Sequence, residues 1–108
     1  MKELKTDLLI IGAGPGGLGA ALYAKRSGLE FIIVEKNMAG GQIIYTDLIE
    51  NYPGFMDNPS GFDLAQKLVE HCKKFEIEIM EYISVEKIEE VNHKKGNKVY
   101  KFKCNCGD

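Results

Sequence analysis

The residues in this chain best placed to do chemistry are three glycines and one acid. Gly12, Gly14 and Gly17 satisfy G-x-G-x-x-G within the run Gly12-Ala13-Gly14-Pro15-Gly16-Gly17. Glu35 lies roughly 20 residues further on, the spacing of a ribose-binding acid in a dinucleotide fold. Such a set binds; it does not itself react. Gly12 permits a tight turn, Gly14 lets backbone approach a pyrophosphate, and Gly17 lets a helix pack closely on a strand. The N–H groups of the first helical turn then face the phosphates, and the helix dipole favours negative charge there. Pro15 has no N–H to donate and is tolerated in that first turn. A carboxylate at position 35 can accept hydrogen bonds from ribose hydroxyls and would repel a 2′-phosphate.

Three elements must hold these residues in place. Leu8-Leu9-Ile10-Ile11 is a short apolar run of the kind found in a fully buried parallel strand. A helix is expected from about Pro15 to Ser27, with Leu18, Ala21, Leu22 and Lys25 on one face and Gly28 as its stop. Phe31-Ile32-Ile33-Val34 reads as a central, buried second strand ending in Glu35. The alternative is a generic βαβ unit whose loop binds nothing and whose Glu35 is merely solvated.

The chain has 108 residues, 44% of them hydrophobic, and a formal net charge of −2. That bounds it to one globular domain at most and gives no basic surplus for nucleic acid or an anionic membrane. Residues 8–24 carry no charge, but five glycines and a proline interrupt them, and Glu3 and Asp7 stand where a signal peptide has basic residues. A cytoplasmic protein is expected. The three cysteines do not make a disulfide framework: Cys72 falls on the apolar side of a helix, and Cys104 and Cys106 are neither C-x-x-C nor a zinc half-site.

Residues 36–60 show no sustained periodicity and contain Gly40-Gly41-Gln42 and Glu50-Asn51-Tyr52-Pro53-Gly54-Phe55. So long a loop in a compact chain is unusual unless it is functional. Taken alone, Pro53-Gly54 predicts an ordinary type II turn. Ser60 then caps a helix carrying Leu64, Ala65, Leu68, Cys72 and Phe75 on one stripe, with His71 at its edge as a surface residue. Ile77 and Ile79 alternate with glutamates as a third strand. Residues 84–91 and 98–103 form a hairpin across His93-Lys94-Lys95-Gly96-Asn97.

In this order the motifs resemble the N-terminal segment of low-molecular-weight thioredoxin reductases. The G-G-Q and E-N-Y-P-G pair, followed by Gly61 before a helix, is far more specific than the glycine loop. The resemblance implies a Rossmann-like α/β fold, with a parallel sheet and a β-hairpin or meander excursion, left incomplete at the C-terminus of residues 1–108. It implies FAD as cofactor, NADPH as a donor bound by a further domain, and a thioredoxin-like disulfide protein as acceptor, in a homodimer. By position, Gly12, Gly14, Pro15 and Gly17 would line the pyrophosphate and Glu35, with Lys36 beside it, the adenosine ribose. Gly41 and Gln42 would lie near the ribityl chain, Asn51 near the isoalloxazine, and the backbone of Val85 at the adenine. No second, separate G-x-G-x-x-G loop and no C-x-x-C occurs in these residues, so this part alone is expected to be inactive. The alternatives are a relative with another donor or acceptor, such as a ferredoxin-dependent reductase or an alkyl hydroperoxide reductase flavin subunit, and a non-catalytic nucleotide-binding module.

Overall fold

Apolar residues run without polar interruption from Phe31 to Val34 because this strand is covered on both faces. A computed structural model describes residues 2–92 and 98–105. In it, β3 (Phe31–Glu35) lies between β2 (Leu8–Ile11) and β4 (Ile79–Glu81), and both pairings are parallel. Alternate β3 side chains serve opposite faces. Ile33 joins Ile10, Leu18, Ala21, Cys72 and Ile77 on the helical side, and Val34 joins Ile83, Phe102 and Cys104 on the other. The helical side is built by α1 (Pro15–Arg26) and α2 (Gly61–Lys74). The other side is a second, antiparallel sheet in the order β1 (Lys2–Thr6), β6 (Lys98–Asn105), β5 (Ser84–Asn92).

Local sequence sets the helix boundaries. Gly28 adopts φ 73° and closes α1 with two bonds, Gly28 N–H to Lys25 O and Leu29 N–H to Ala24 O, the pairing of a Schellman stop. Ser60 Oγ accepts from Asp63 N–H at 3.0 Å at the start of α2, a cap worth about 1 kcal/mol. Among the described residues no helix is long and apolar enough to cross a membrane.

Several sequence expectations change in detail. Residues 2–6, whose sequence carries no strand pattern of its own, form a strand whose register sets Leu4 opposite Phe102. The buried Thr6 hydroxyl lies within hydrogen-bond reach of Leu8 O and Glu30 O, where the chain leaves one sheet for the other. β2 is not fully buried. It is an edge of the parallel sheet among the described residues, and Ile11 is 59% exposed. On α1 the buried stripe passes through Ala24, and Lys25 stays in solvent. Phe75 follows α2 at its C-cap and is half exposed, its ring 5.4 Å from that of the exposed His71. The third strand begins at Ile79, after a turn in which Glu76 takes φ 60°. The expected hairpin strands are present, whereas the loop 93–97 and Cys106 lie outside the described residues.

Candidate nucleotide-binding site

The site is built at the C-terminal ends of the parallel strands, where open α/β sheets bind their ligands. A turn there must leave the strand, expose backbone donors and let a helix return against the sheet. Gly12 does the first with φ 104°, while its N–H still extends the ladder to Val34 O at 2.8 Å. Gly17 does the last. A Cβ on Gly17 would lie 1.8 Å from Gly12 O, so any side chain would push α1 off the turn. Gly14 and Gly16 face open space, with nothing nearer than 4.0 Å to an added Cβ, so a ligand can reach the backbone there. Helix α1 begins with no capping side chain and no acid in its first turn. Its leading N–H groups have no intrahelical partner, and no acid of the helix's own first turn competes for them.

Glu35 is buried beneath this turn, 7% exposed. Its Oε1 accepts from Ala13 N–H at 2.8 Å and its Oε2 from Asn37 N–H at 2.9 Å. The carboxylate therefore joins the glycine turn to the start of the long loop before any ligand is considered. Each oxygen has two lone pairs, so acceptor capacity remains for ribose hydroxyls.

The opposite wall comes from β5. The β5–β6 register slips between Val85 and Lys87, so Glu86 bulges out of the ladder. Together these walls enclose a cleft of about 590 Å³, within the ordinary range for a small-molecule site. Of the residues expected at a cofactor, Gly12, Glu35, Lys36, Gln42 and Val85 line it. Asn37, Ser84, Glu86, Lys87 and Ile88 line it as well and were not anticipated. A non-glycine bulge leaves no mark in sequence, and only the partner strand's register shows it.

The remaining expected residues sit around this cleft. Gly14 and Pro15 begin α1, and Gly41 packs on the glycine turn so closely that a Cβ would lie 3.0 Å from Gly14 Cα. Gly40 N–H donates to Ala13 O at 2.7 Å. Asn51, by contrast, is exposed and does not line the cleft. It precedes a turn closed by Phe55 N–H to Tyr52 O at 3.2 Å, with Gly54 at φ 90°, as the Pro-Gly pair predicted. Tyr52 meets Phe55 edge to face, and Lys67 of α2 stands 5.7 Å above the Phe55 ring. The 3-10 turn Gly41–Tyr45 is held against α2 by Gly61, whose Cβ would lie 1.7 Å from Ile43 O. That contact is the reason a glycine must open this helix.

A family model described as pyridine nucleotide-disulphide oxidoreductase matches residues 6–105. The chain belongs to this family. It is 48% identical over 89 residues to a 34.2 kDa protein in the rubredoxin operon of Clostridium pasteurianum, covering 82% of this chain and 29% of that protein. It is 42% identical over 100 residues to thioredoxin reductase of Bacillus subtilis, covering 88% and 31%. Among solved structures, thioredoxin reductase of T. acidophilum superposes with a TM-score of 0.76 at 34% identity, over 93% of this chain and 31% of that one. The chain thus spans under a third of the length of these relatives. Its fold is the Rossmann-like, FAD-binding fold of thioredoxin reductases.

The residues present fit the adenosine-diphosphate half of FAD. The turn is open, the helix start is free of acids, and a buried acceptor stands beside the cleft.

Proposed function

We propose that residues 2–105 form the adenosine-diphosphate-binding part of the FAD site in a thioredoxin-reductase-like flavoprotein. The whole protein would pass electrons from NADPH through FAD to the disulfide of a thioredoxin-like partner. The convergence of the glycine turn, Glu35 and the β5 bulge on one cleft carries this reading. The flavin supplies the hydride and electron chemistry when bound. The chain's own residues bind and orient. The backbone donors of the glycine turn receive the pyrophosphate, and the Glu35 carboxylate, already fixed by two amides, receives the ribose. The apolar lining, Ile11 and Ile88 among it, shields the adenine. Gln42 also lines the cleft, and on this reading the ribityl chain would pass it on the way towards Asn51. These residues contain no C-x-x-C, so disulfide exchange is assigned to residues outside them. A cytoplasmic homodimer is the assembly that goes with this reading.

Titration of the intact, flavin-stripped protein with FAD, ADP and 2′-phospho-ADP tests it. FAD and ADP should compete for one site, and 2′-phospho-ADP should bind at least tenfold more weakly because Glu35 faces its added charge. Equal affinity for the 2′-phosphorylated ligand, or failure of ADP to displace FAD, would sink the assignment.

A further inference from the structure

The segment between β3 and the 3-10 turn, residues 36–40, has no regular structure, yet the glycine turn rests on it. Gly40 bonds Ala13 and Gly41 abuts Gly14. Something must fix its path. Besides the bond from Asn37 N–H to Glu35 Oε2, three bonds from the corner between β4 and β5 fix the segment and its junction with β3. Ile83 N–H donates to Glu35 O at 2.9 Å, and Tyr82 N–H donates to Asn37 O at 3.1 Å. The Glu81 carboxylate accepts from Ala39 N–H at 2.6 Å. The corner itself is strained: Tyr82 holds φ 58°, a left-handed conformation that a bulky side chain seldom adopts. Such a conformation persists only where surrounding contacts over-determine it. Of the three bonds, only the one at Glu81 depends on side-chain identity.

Glu81 does not line the nucleotide cleft. It lies on the other side of the 36–40 segment, beside a separate hollow that it shares with Met38 and Ala39. We propose that Glu81 is a positioning residue for the nucleotide site: by holding Ala39 it sets the course of Gly40 and Gly41, and through them the shape of the glycine turn. The contact runs from Glu81 to Ala39, then through Gly40 to Ala13, whose N–H is held by Glu35. Its effect on affinity is exerted with no contact to the ligand. The affinity part of this inference rests on the nucleotide reading of the cleft; the part concerning the loop does not.

The test compares Glu81→Ala and Glu81→Gln in the intact protein. A glutamine carbonyl can still accept from Ala39 N–H, whereas alanine cannot. Glu81→Ala should weaken FAD and ADP alike by about fivefold, in line with the loss of one charge-assisted hydrogen bond that water partly replaces. Glu81→Gln should stay within about twofold of the parent. Without any nucleotide, amide hydrogen exchange at Ala39, Gly40 and Ala13 should quicken in Glu81→Ala and not in Glu81→Gln. Unchanged exchange at Gly40 and Ala13 in Glu81→Ala would overturn the proposal. So would a Glu81→Gln variant that falls as far as alanine. A parent protein that binds neither FAD nor ADP would refute the nucleotide reading, and the exchange comparison would still decide the role of Glu81.

Discussion

The glycine turn at 12–17 and the loop at 36–60 both carry residues expected at the cofactor, yet they are built in different ways. In the turn, backbone does the work. Gly17 is locked against Gly12, Ala13 is held by Glu35, and the free donors are main-chain groups whose positions follow from the fold. In the loop, anchors at Gly40, Gly61 and the Ile49 N–H to Pro59 O bond are joined by the Glu35 and Glu81 carboxylates, which hold the Asn37 and Ala39 N–H groups. The side chains meant to recognise a ligand are exposed: Gln42 at the rim of the cleft, Asn51 outside it, and Tyr45 at 82%. A backbone-built site comes into shape with the core, whereas a side-chain-built site still has rotamers to fix. The cleft at the glycine turn is therefore preformed, whereas the exposed side chains of the loop have still to be ordered.

Substitutions can break or sharpen that contrast. The largest effect is expected at Gly17→Ala, where the added methyl meets backbone at 1.8 Å. Stability in urea should fall by at least about 3 kcal/mol, the upper end of overpacking penalties, and nucleotide binding should be lost with it. Gly16→Ala, one residue away in open space, should be neutral or stabilising by up to about 1 kcal/mol. Equal damage from both would mean that the turn is not locked as described.

Glu35→Gln comes next. One carboxylate oxygen becomes an NH2 that faces an amide donor, and affinity for FAD and ADP should drop by about 1–3 kcal/mol with little change in the flavin spectrum. Unchanged affinity would remove Glu35 from the site.

Asn51→Ala should give the reverse pattern. Stability should stay within about 0.5 kcal/mol, as for an exposed side chain, and ADP affinity should hold. The visible spectrum or reduction potential of bound flavin should shift. If neither moves, the loop does not meet the isoalloxazine.

The smallest effect is expected at Glu3→Gln on β1. Glu3 Oε1 lies 3.0 Å from Lys101 Nζ on β6, and this hydrogen-bonded pairing raises the lysine above its ordinary value. A raised lysine stabilises the fold in full below its unfolded-state value, and the benefit fades as pH rises through the folded-state value. A small difference in melting midpoint at neutral pH should thus vanish in strong alkali. A difference that persists there would point to packing, not charge, at this pair.

The parts that sequence made legible are those governed by backbone rules. The G-x-G-x-x-G spacing, Gly28 as a stop, Ser60 as a cap and Pro53-Gly54 as a turn each reflect a local constraint that one or two residues can satisfy. The illegible parts depend on pairing at a distance. Residues 2–6 alternate too weakly to declare a strand, and only β6 makes them one. The bulge at Glu86 is a mismatch of two registers, and neither strand contains it alone. The bond at Glu81 joins a loop and a strand end 42 residues apart, and neither stretch of sequence names the other as its partner.

The pairing of β1 with β6 also has a consequence in time. Lys2 lies opposite Cys104, and Thr6 opposite Tyr100. During synthesis at about 5–20 residues per second, a strand made first must wait several seconds or more for its partner. Much of the stretch from β2 to β4 can meanwhile close on itself, while the face carrying Leu9, Ile32, Val34 and Met80 waits for Phe102 and Cys104. Within the antiparallel sheet, β5 and β6 are consecutive and can pair as a hairpin, whereas the β1–β6 pairing spans nearly the whole chain and should be the slow step. The order of events is thus written into the topology: the glycine turn is made early, and the pairing of β1 with β6 is the final piece to be set.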